Sequence, residues 1–244
     1  MFHWFAALGL SALGSILGLV VASVVLFVGD DLRARIVPWL VSYAVGTMLG
    51  AALFGLLPET LLELPAKAAA TGILAGVLTF FLIEKLVLWH HWHGDDTCDV
   101  HKSTATLLIV GESLHTLVDG VAIAAAVLVS TPLGLTTTLA IVAHEIPQEA
   151  GDFAILLAAG YSRGRAVMLN LAAAGGGVIG AAAMLAFGEH VPAAVPYVLA
   201  FATGNFLYVA IADLIPSLHR GRLDRNSASQ AVLIGLGVLT VASL

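Results

Sequence analysis

Apolar stretches long enough to cross a bilayer follow one another along almost the whole chain, and little else fits between them. A helix needs about 20 mainly apolar residues to traverse roughly 30 Å of hydrocarbon. Breaks at charged residues, Pro and Gly divide the 244 residues into spans near 4–28, 38–61, 68–90, 104–129, 133–159, 166–188, 193–217 and 228–244. Charged residues make up 11% of the chain and its mean hydropathy is +0.99, whereas a soluble domain carries about 25% charged residues. A water-facing surface cannot be built from this. The expected fold is an all-α integral membrane protein of eight transmembrane helices in one domain, 1–244, with two inverted three-helix repeats around a central pair as a possible arrangement. The first span is longer than a signal-peptide core and has no basic segment before it, so it is read as a helix of the mature protein.

Lys and Arg give the orientation, because cytoplasmic loops retain positive charge during insertion. With the N-terminus outside, Arg33, Arg35, Lys85, Lys102, Arg163, Arg165, Arg220, Arg222 and Arg225 fall on the inner side and only Lys67 on the outer. A missed or invented helix would scramble this alternation, so the asymmetry also supports the span count. Both termini are expected to be extracytoplasmic. The basic residues form no groove or stripe suited to nucleic acid. The single Cys98 excludes an intramolecular disulfide framework. Short connections and heavy Ala and Gly use point to a bacterial inner membrane.

Against this apolar background the fourth and fifth spans stand out. One carries Glu112, His115 and Asp119; the other carries His144, Glu145, Gln148, Glu149 and Asp152. At about 2.5–3.5 kcal/mol for each central carboxylate, five of them cost on the order of 10–17 kcal/mol if uncompensated. Spacings of three and four residues put Glu112, His115 and Asp119 on one helical face, and give the fifth span two overlapping stripes. Two such faces opposed make a cage. No Lys or Arg occurs between Thr104 and Ala159, so the balancing cation is a metal ion or protons from outside the chain. Imidazole mixed with carboxylate suits zinc, iron or manganese, whereas a calcium site is all oxygen. Pro147 lies mid-span and frees the carbonyl of Ala143, loosening the helix at the level of the cage.

Two further readings draw on the same residues. His144-Glu145-Ile146-Pro147-Gln148 approaches the His-Glu-x-x-His pattern of zinc hydrolases, with Gln148 in place of the second His. An intramembrane metallohydrolase would keep one ligand position for water. A proton-coupled carrier of an organic substrate would spread its polar groups over several helices, and here they concentrate on two.

At this point a resemblance enters. His115-Thr116-Leu117-Val118-Asp119-Gly120-Val121-Ala122-Ile123 resembles the His-Asn-x-x-Asp-Gly-x-x-Ile signature of the ZIP (Zrt/Irt-like protein) family. His144 to Leu156 is similar to the His-Glu-x-Pro-His-Glu-x-Gly-Asp-Phe segment of its LIV-1 branch. Leu56-Leu57-Pro58-Glu59 and Gly204 to Ala210, with Asp213 and Pro216, are weaker echoes. The resemblance implies a homodimeric transporter moving zinc, iron, manganese or a similar ion toward the cytoplasm by alternating access, one helix bundle moving against a scaffold. It implies a main site of His115, Asp119, His144 and Gln148, with Glu145 and Glu149 adjoining. Thr116 takes the place of the Asn, and Glu112 and Asp152 are expected in outer-shell or exit positions. The metal is cargo, no prosthetic group is expected, and no residue is catalytic. Thr116 and Gln148 depart from the motifs, as do Gly55 where many members have His and Ser217 where Glu is usual. Fewer imidazoles and more oxygen shift the expected preference toward manganese or iron(II).

Three lesser groups complete the reading. His90, His91, His93 and His101, with Asp95, Asp96, Cys98 and Asp99, populate the longest connection, 90–103; it either collects exiting metal or is a plain solvated loop. Glu59, Glu63, Glu189 and His190 at the outer ends are solvated loop charge or attractors at the entrance. Asp213 is expected to pair with Arg220 or Arg222.

Overall fold

The computed structural model describes residues 2–27, 30–92, 100–218 and 225–244, and among them every regular element is helical. Helix α1 spans Phe2–Phe27. Helix α2, Asp30–Gly50, passes through a π-helical segment, Ala51–Leu56, directly into α3, Leu57–Glu63. Then come α4 (Ala66–Trp92), α5 (Val100–Val129), α6 (Thr131–Ala158) and α7 (Arg163–His190). A short 3₁₀ turn, Pro192–Ala194, leads into α8 (Val195–Tyr208). A second π segment, Val209–Leu214, joins α8 to α9 (Ile215–Leu218), and α10 covers Arg225–Ala242.

Among the described residues, six helical stretches are long and apolar enough to cross a membrane. Helix α6 is 28 residues long but more polar than these six, carrying His144, Glu145, Gln148, Glu149 and Asp152. Large apolar side chains lie open on the outside: Phe5, Leu62 and Met168 are 76%, 78% and 72% exposed. Lipid is the solvent that tolerates such a surface. The protein is an all-α integral membrane protein.

Local chemistry sets the helix ends. Ser130 accepts a hydrogen bond from the Leu133 N–H at 3.3 Å, just ahead of Pro132 in the first turn of α6. At the other end Gly160 takes φ +87°, with Tyr161 N–H donating to Leu156 O and Gly160 N–H to Leu157 O. That is a Schellman stop, and a β-carbon would strain it. Both π segments precede a proline by the same offset, Leu57-Pro58 and Ile215-Pro216. A proline cannot donate to the carbonyl four residues back and presses its ring against it. Those carbonyls belong to Phe54 and Ala212, both inside the widened turns, where the π geometry takes up the mismatch.

The rods pack as two bundles. Helices α1, α5, α6 and α7 are mutual neighbours; α2–α3, α4, α8–α9 and α10 form the other group, with α2 against α6 and α5 against α8 joining them. Exchanging the first three rods for the last three, and α5 for α6, maps α1–α6 onto α7–α5 and α4–α8 onto α10–α2. Three-helix repeats around a central pair have this neighbour pattern. Glycines bring backbones into contact within each bundle: Gly120 and Gly180 of α5 and α7 face the carbonyls of Gly177 and Leu117. Gly76 and Gly204 do the same between α4 and α8, and Gly46 and Gly237 between α2 and α10. Between the bundles lie side chains instead.

The connection 93–99, with His93, Asp95, Asp96, Cys98 and Asp99, lies outside the described residues. The backbone is helical at His90, His91 and His101. Arg220 and Arg222, the expected partners of Asp213, also lie outside. Glu189 and His190 belong to the last turn of α7 and not to a loop, because the helix continues to His190, whose Nδ1 is 2.7 Å from Ala186 O.

A β-carbon at Gly180 would drive into the Leu117 carbonyl, whereas one at Gly175 meets nothing within 4 Å. Gly180→Leu should therefore lower the thermal midpoint of the detergent-solubilised protein, by the equivalent of about 1–3 kcal/mol or more. Gly175→Ala should leave it unchanged. Equal midpoints for the two variants would contradict the close α5–α7 packing.

Candidate metal centre

Helices α5 and α6 cross where both are polar, and two overlapping groups of ligand-bearing atoms form there. His115, Asp119, His144 and Glu145 each present one such atom within 4.8 Å of the others, and Glu112, Glu145 and Glu149 do the same. All are buried, with His144 and Glu149 at 0% exposure. Glu145 belongs to both groups.

In the first group the imidazoles face each other. His115 Nε2 lies 3.1 Å from His144 Nε2, and Asp119 Oδ2 lies 3.5 Å from the former and 3.2 Å from the latter. The far nitrogen of one ring is tied down: His144 Nδ1 is 3.1 Å from the Ala140 carbonyl one turn back on α6. An Nδ1–H donated to that carbonyl leaves Nε2 as a lone pair aimed into the cage. The second bundle holds both rings from the side. Phe80 of α4 sets its ring nearly perpendicular to His115, centroids 5.6 Å apart, and Phe206 of α8 lies 6.4 Å from the His144 ring.

The remaining candidates sit outside these two groups. Thr116 turns to α7, its Oγ1 donating to Ala173 O at 2.8 Å. Gln148 donates through Nε2 to Glu112 Oε2 at 2.8 Å, which holds α6 to α5 below the cage. Asp152 lines a cavity of about 240 Å³ together with Glu84, Glu112, His115, Tyr208 and Asp213. The sequence reading passed over Glu84 and Tyr208. They meet across α4 and α8, Tyr208 donating its hydroxyl to Glu84 Oε2 at 2.5 Å. A carboxylate at position 84 inside an otherwise apolar span was the available signal.

This cavity reaches His115 from the end of the bundle where α4 finishes and α5 begins. At the opposite end Glu59, Glu63 and Glu189 line a separate cavity of about 420 Å³, and Trp4 Nε1 donates to Glu189 Oε1 at 2.6 Å. Between the two lies buried apolar packing that includes Ile123, Ile141, Leu199 and Phe206. The smaller cavity thus reaches the cage at His115, and the larger one does not include any cage residue.

Electrostatically the site is one-sided. Glu112 Oε1, Asp119 Oδ1, Glu145 Oε2, both Glu149 oxygens and Asp152 Oδ2 are buried with no hydrogen-bond partner among the described residues. Such atoms are costly unless a cation or protons meet them.

Comparison with known sequences gives the family. The family profile described as ZIP Zinc transporter matches residues 90–244. Zinc transporter ZIP13 of Pongo abelii is 34% identical over 232 residues, covering 87% of this chain and 69% of that protein. This chain belongs to the ZIP family. Zinc transporter ZIP13 of Danio rerio is 39% identical over 147 residues, 59% of this chain and 42% of the relative. Human zinc transporter ZIP10 is 33% identical over 167 residues, 62% of this chain but 20% of its own length. Within the ZIP family the likeness is to the LIV-1 branch. Membership of a transporter family does not favour the metallohydrolase reading, and Gln148 stands where that reading needs a second His.

Three carboxylates within 4.8 Å of one another repel in the absence of a cation. In the presence of a chelator, Glu149→Gln should therefore raise the thermal midpoint, by the equivalent of about 1–4 kcal/mol. A lowered midpoint would mean that the carboxylate already has a balancing partner.

Proposed function

We propose that the protein carries divalent transition-metal ions across the membrane toward the cytoplasm, with His115, Asp119, His144 and Glu145 as the principal ligands. One observation carries the reading: two imidazole nitrogens and a carboxylate oxygen converge within 3.5 Å of one another on facing helices that have no Lys or Arg from Thr104 onward. Two nitrogens and two carboxylates are a donor set suited to tetrahedral zinc. Iron(II) and manganese follow if Gln148 or Thr116 turns inward to add oxygen. The relatives' names, all zinc transporters, support the zinc class first.

An ion arriving from the outer cavity sheds water as it exchanges hydration for these side chains, and Asp119, Glu145 and Glu149 balance its charge. Glu112, Gln148 and Asp152 lie on the way out along the 240 Å³ cavity. Transit through the apolar packing above the cage requires the two bundles to shift relative to each other, which exposes the site to one side at a time. The bundle of α1, α5, α6 and α7 holds every principal ligand and is the natural moving part. The Lys and Arg asymmetry supports both termini outside, and composition favours a bacterial inner membrane. We further propose a homodimer, by likeness to the family.

Uptake of Zn²⁺, Mn²⁺ and Fe²⁺ into proteoliposomes is the direct test. Saturable uptake should be abolished in a His115→Ala, Asp119→Ala double variant. Binding with the same residue dependence, without delivery to the lumen, would refute transport.

Proton competition supplies a second test. Free imidazole protonates near pH 6.5 and carboxylic acids near about 4, and each proton taken up removes a lone pair the metal needs. Uptake should fall as pH drops from neutral to about 5, and a flat profile would count against this ligand set.

A further inference from the structure

Helix α1 supplies no ligand to the cage, yet it rests on one. Ala7, Ser11, Gly18 and Ala22, spaced four, seven and four residues apart, share one helical face and are buried. On the other side Leu13, Ile16, Val20 and Val24 are 51–60% exposed. At Gly18 the buried face meets α6: a β-carbon there would stand 2.8 Å from Glu145 Cβ and 3.8 Å from its Cγ and its carbonyl carbon. One turn earlier the approach is ordinary, with a β-carbon at Gly14 lying 3.8 Å from Ile123, Ile141 and Thr138. Ser15 and Ser11 set the same helix against α7, their hydroxyls 2.9 and 3.2 Å from where a β-carbon of Gly177 would be.

Non-bonded carbons settle about 3.5–4.0 Å apart, so a methyl group at position 18 has to move Glu145 or α1 by about 1 Å. The contact falls on the first atom of the Glu145 side chain, where rotation further out gives no relief and the carboxylate is carried along. Ligand distances in metal sites hold to about 0.2 Å, so a shift of that size is felt by the ion. We propose that Gly18 is a positioning residue for the metal centre: its missing side chain lets α1 seat Glu145 among His115, Asp119 and His144. Glu145 is also the residue common to both ligand groups. The inference rests on the reading of the cage as the ion's binding site, and goes beyond it by giving α1 a part in the affinity. Retreat of α1 toward lipid is the other response to a methyl group; it loosens the packing at Gly14 and Ser15 and leaves the carboxylate where it is.

The experiment is Zn²⁺ titration of the purified chain in detergent against a competing chromophoric chelator, with thermal midpoints taken in the metal-free state. Gly18→Ala should weaken zinc binding roughly 10–100-fold, the loss usual when the group that orients a ligand is removed. Gly14→Ala on the same helix should leave it unchanged. Glu145→Ala should also weaken zinc, and adding Gly18→Ala to it should change nothing further, because the crowding between β-carbons remains while the carboxylate it displaces is gone. Unchanged zinc affinity in Gly18→Ala, with or without a lowered midpoint, overturns the role and leaves the carrier reading standing. So does a further loss of affinity in the double variant, which would mean that the helices as a whole are strained. Should Gly18→Ala fail to fold, Glu145→Asp decides: with its β-carbon held at Gly18 the shortened carboxylate cannot follow the ion, and unchanged zinc affinity there overturns the proposal. Absence of zinc binding by the wild type overturns the carrier reading and this inference together.

Discussion

Five carboxylates buried between two helices that have no Lys or Arg from Thr104 onward are the constraint around which this structure is arranged. Every other demand on a membrane helix runs against them: α6 is long enough to cross but is more polar than the six apolar stretches. The chain meets the cost by enclosure. Helices α1 and α7 flank α5 and α6 and keep the carboxylates away from lipid, so that Glu145 is 1% exposed and Glu149 not at all. Burial in turn makes a cation worth far more there than it would be in water.

Enclosure requires backbones to come close, and glycine is how this chain achieves it. Gly120 and Gly180 seat α5 against α7, and Gly18 of α1 lies directly on the β-carbon of Glu145. A residue with a side chain at position 18 would displace the carboxylate that belongs to both ligand groups. The same device fastens α4 to α8 and α2 to α10. Helix pairs held backbone to backbone move as units, whereas surfaces made of side chains such as Phe80 and Phe206 have alternative packings available to them. Rigidity is placed within bundles, and the choice of packing is left between them.

Much of this was legible in the chain because it depends on local periodicity. Spans announce themselves by length, and the spacing of Glu112, His115 and Asp119 fixes a shared face whatever the tertiary structure. The same reasoning reached His144 and Glu145, since an unpaired ionisable stripe must find its complement inside the bundle. What stayed hidden depends on contacts between residues distant in sequence. Thr116 reads as a ligand from its motif, yet its hydroxyl goes to Ala173, 57 residues away. Gln148 reads likewise, yet its amide goes to Glu112. The Tyr208–Glu84 hydrogen bond spans 124 residues and joins two spans that each look ordinary alone.

The two cavities bring these themes together. Glu59, Glu63 and Glu189 at one end and Glu84, Asp152 and Asp213 at the other make both approaches acidic, as is the cage between them. A divalent ion is therefore attracted at every stage, and electrostatics alone would hold it in the cage. The repeat-related π turns differ at equivalent positions: the one in α2–α3 carries Gly55 where the one in α8–α9 carries Asp213. The added carboxylate lines the cavity that reaches His115. On the carrier reading, this charge makes the two approaches to the cage unequal, while the direction of net movement follows the ion's electrochemical gradient.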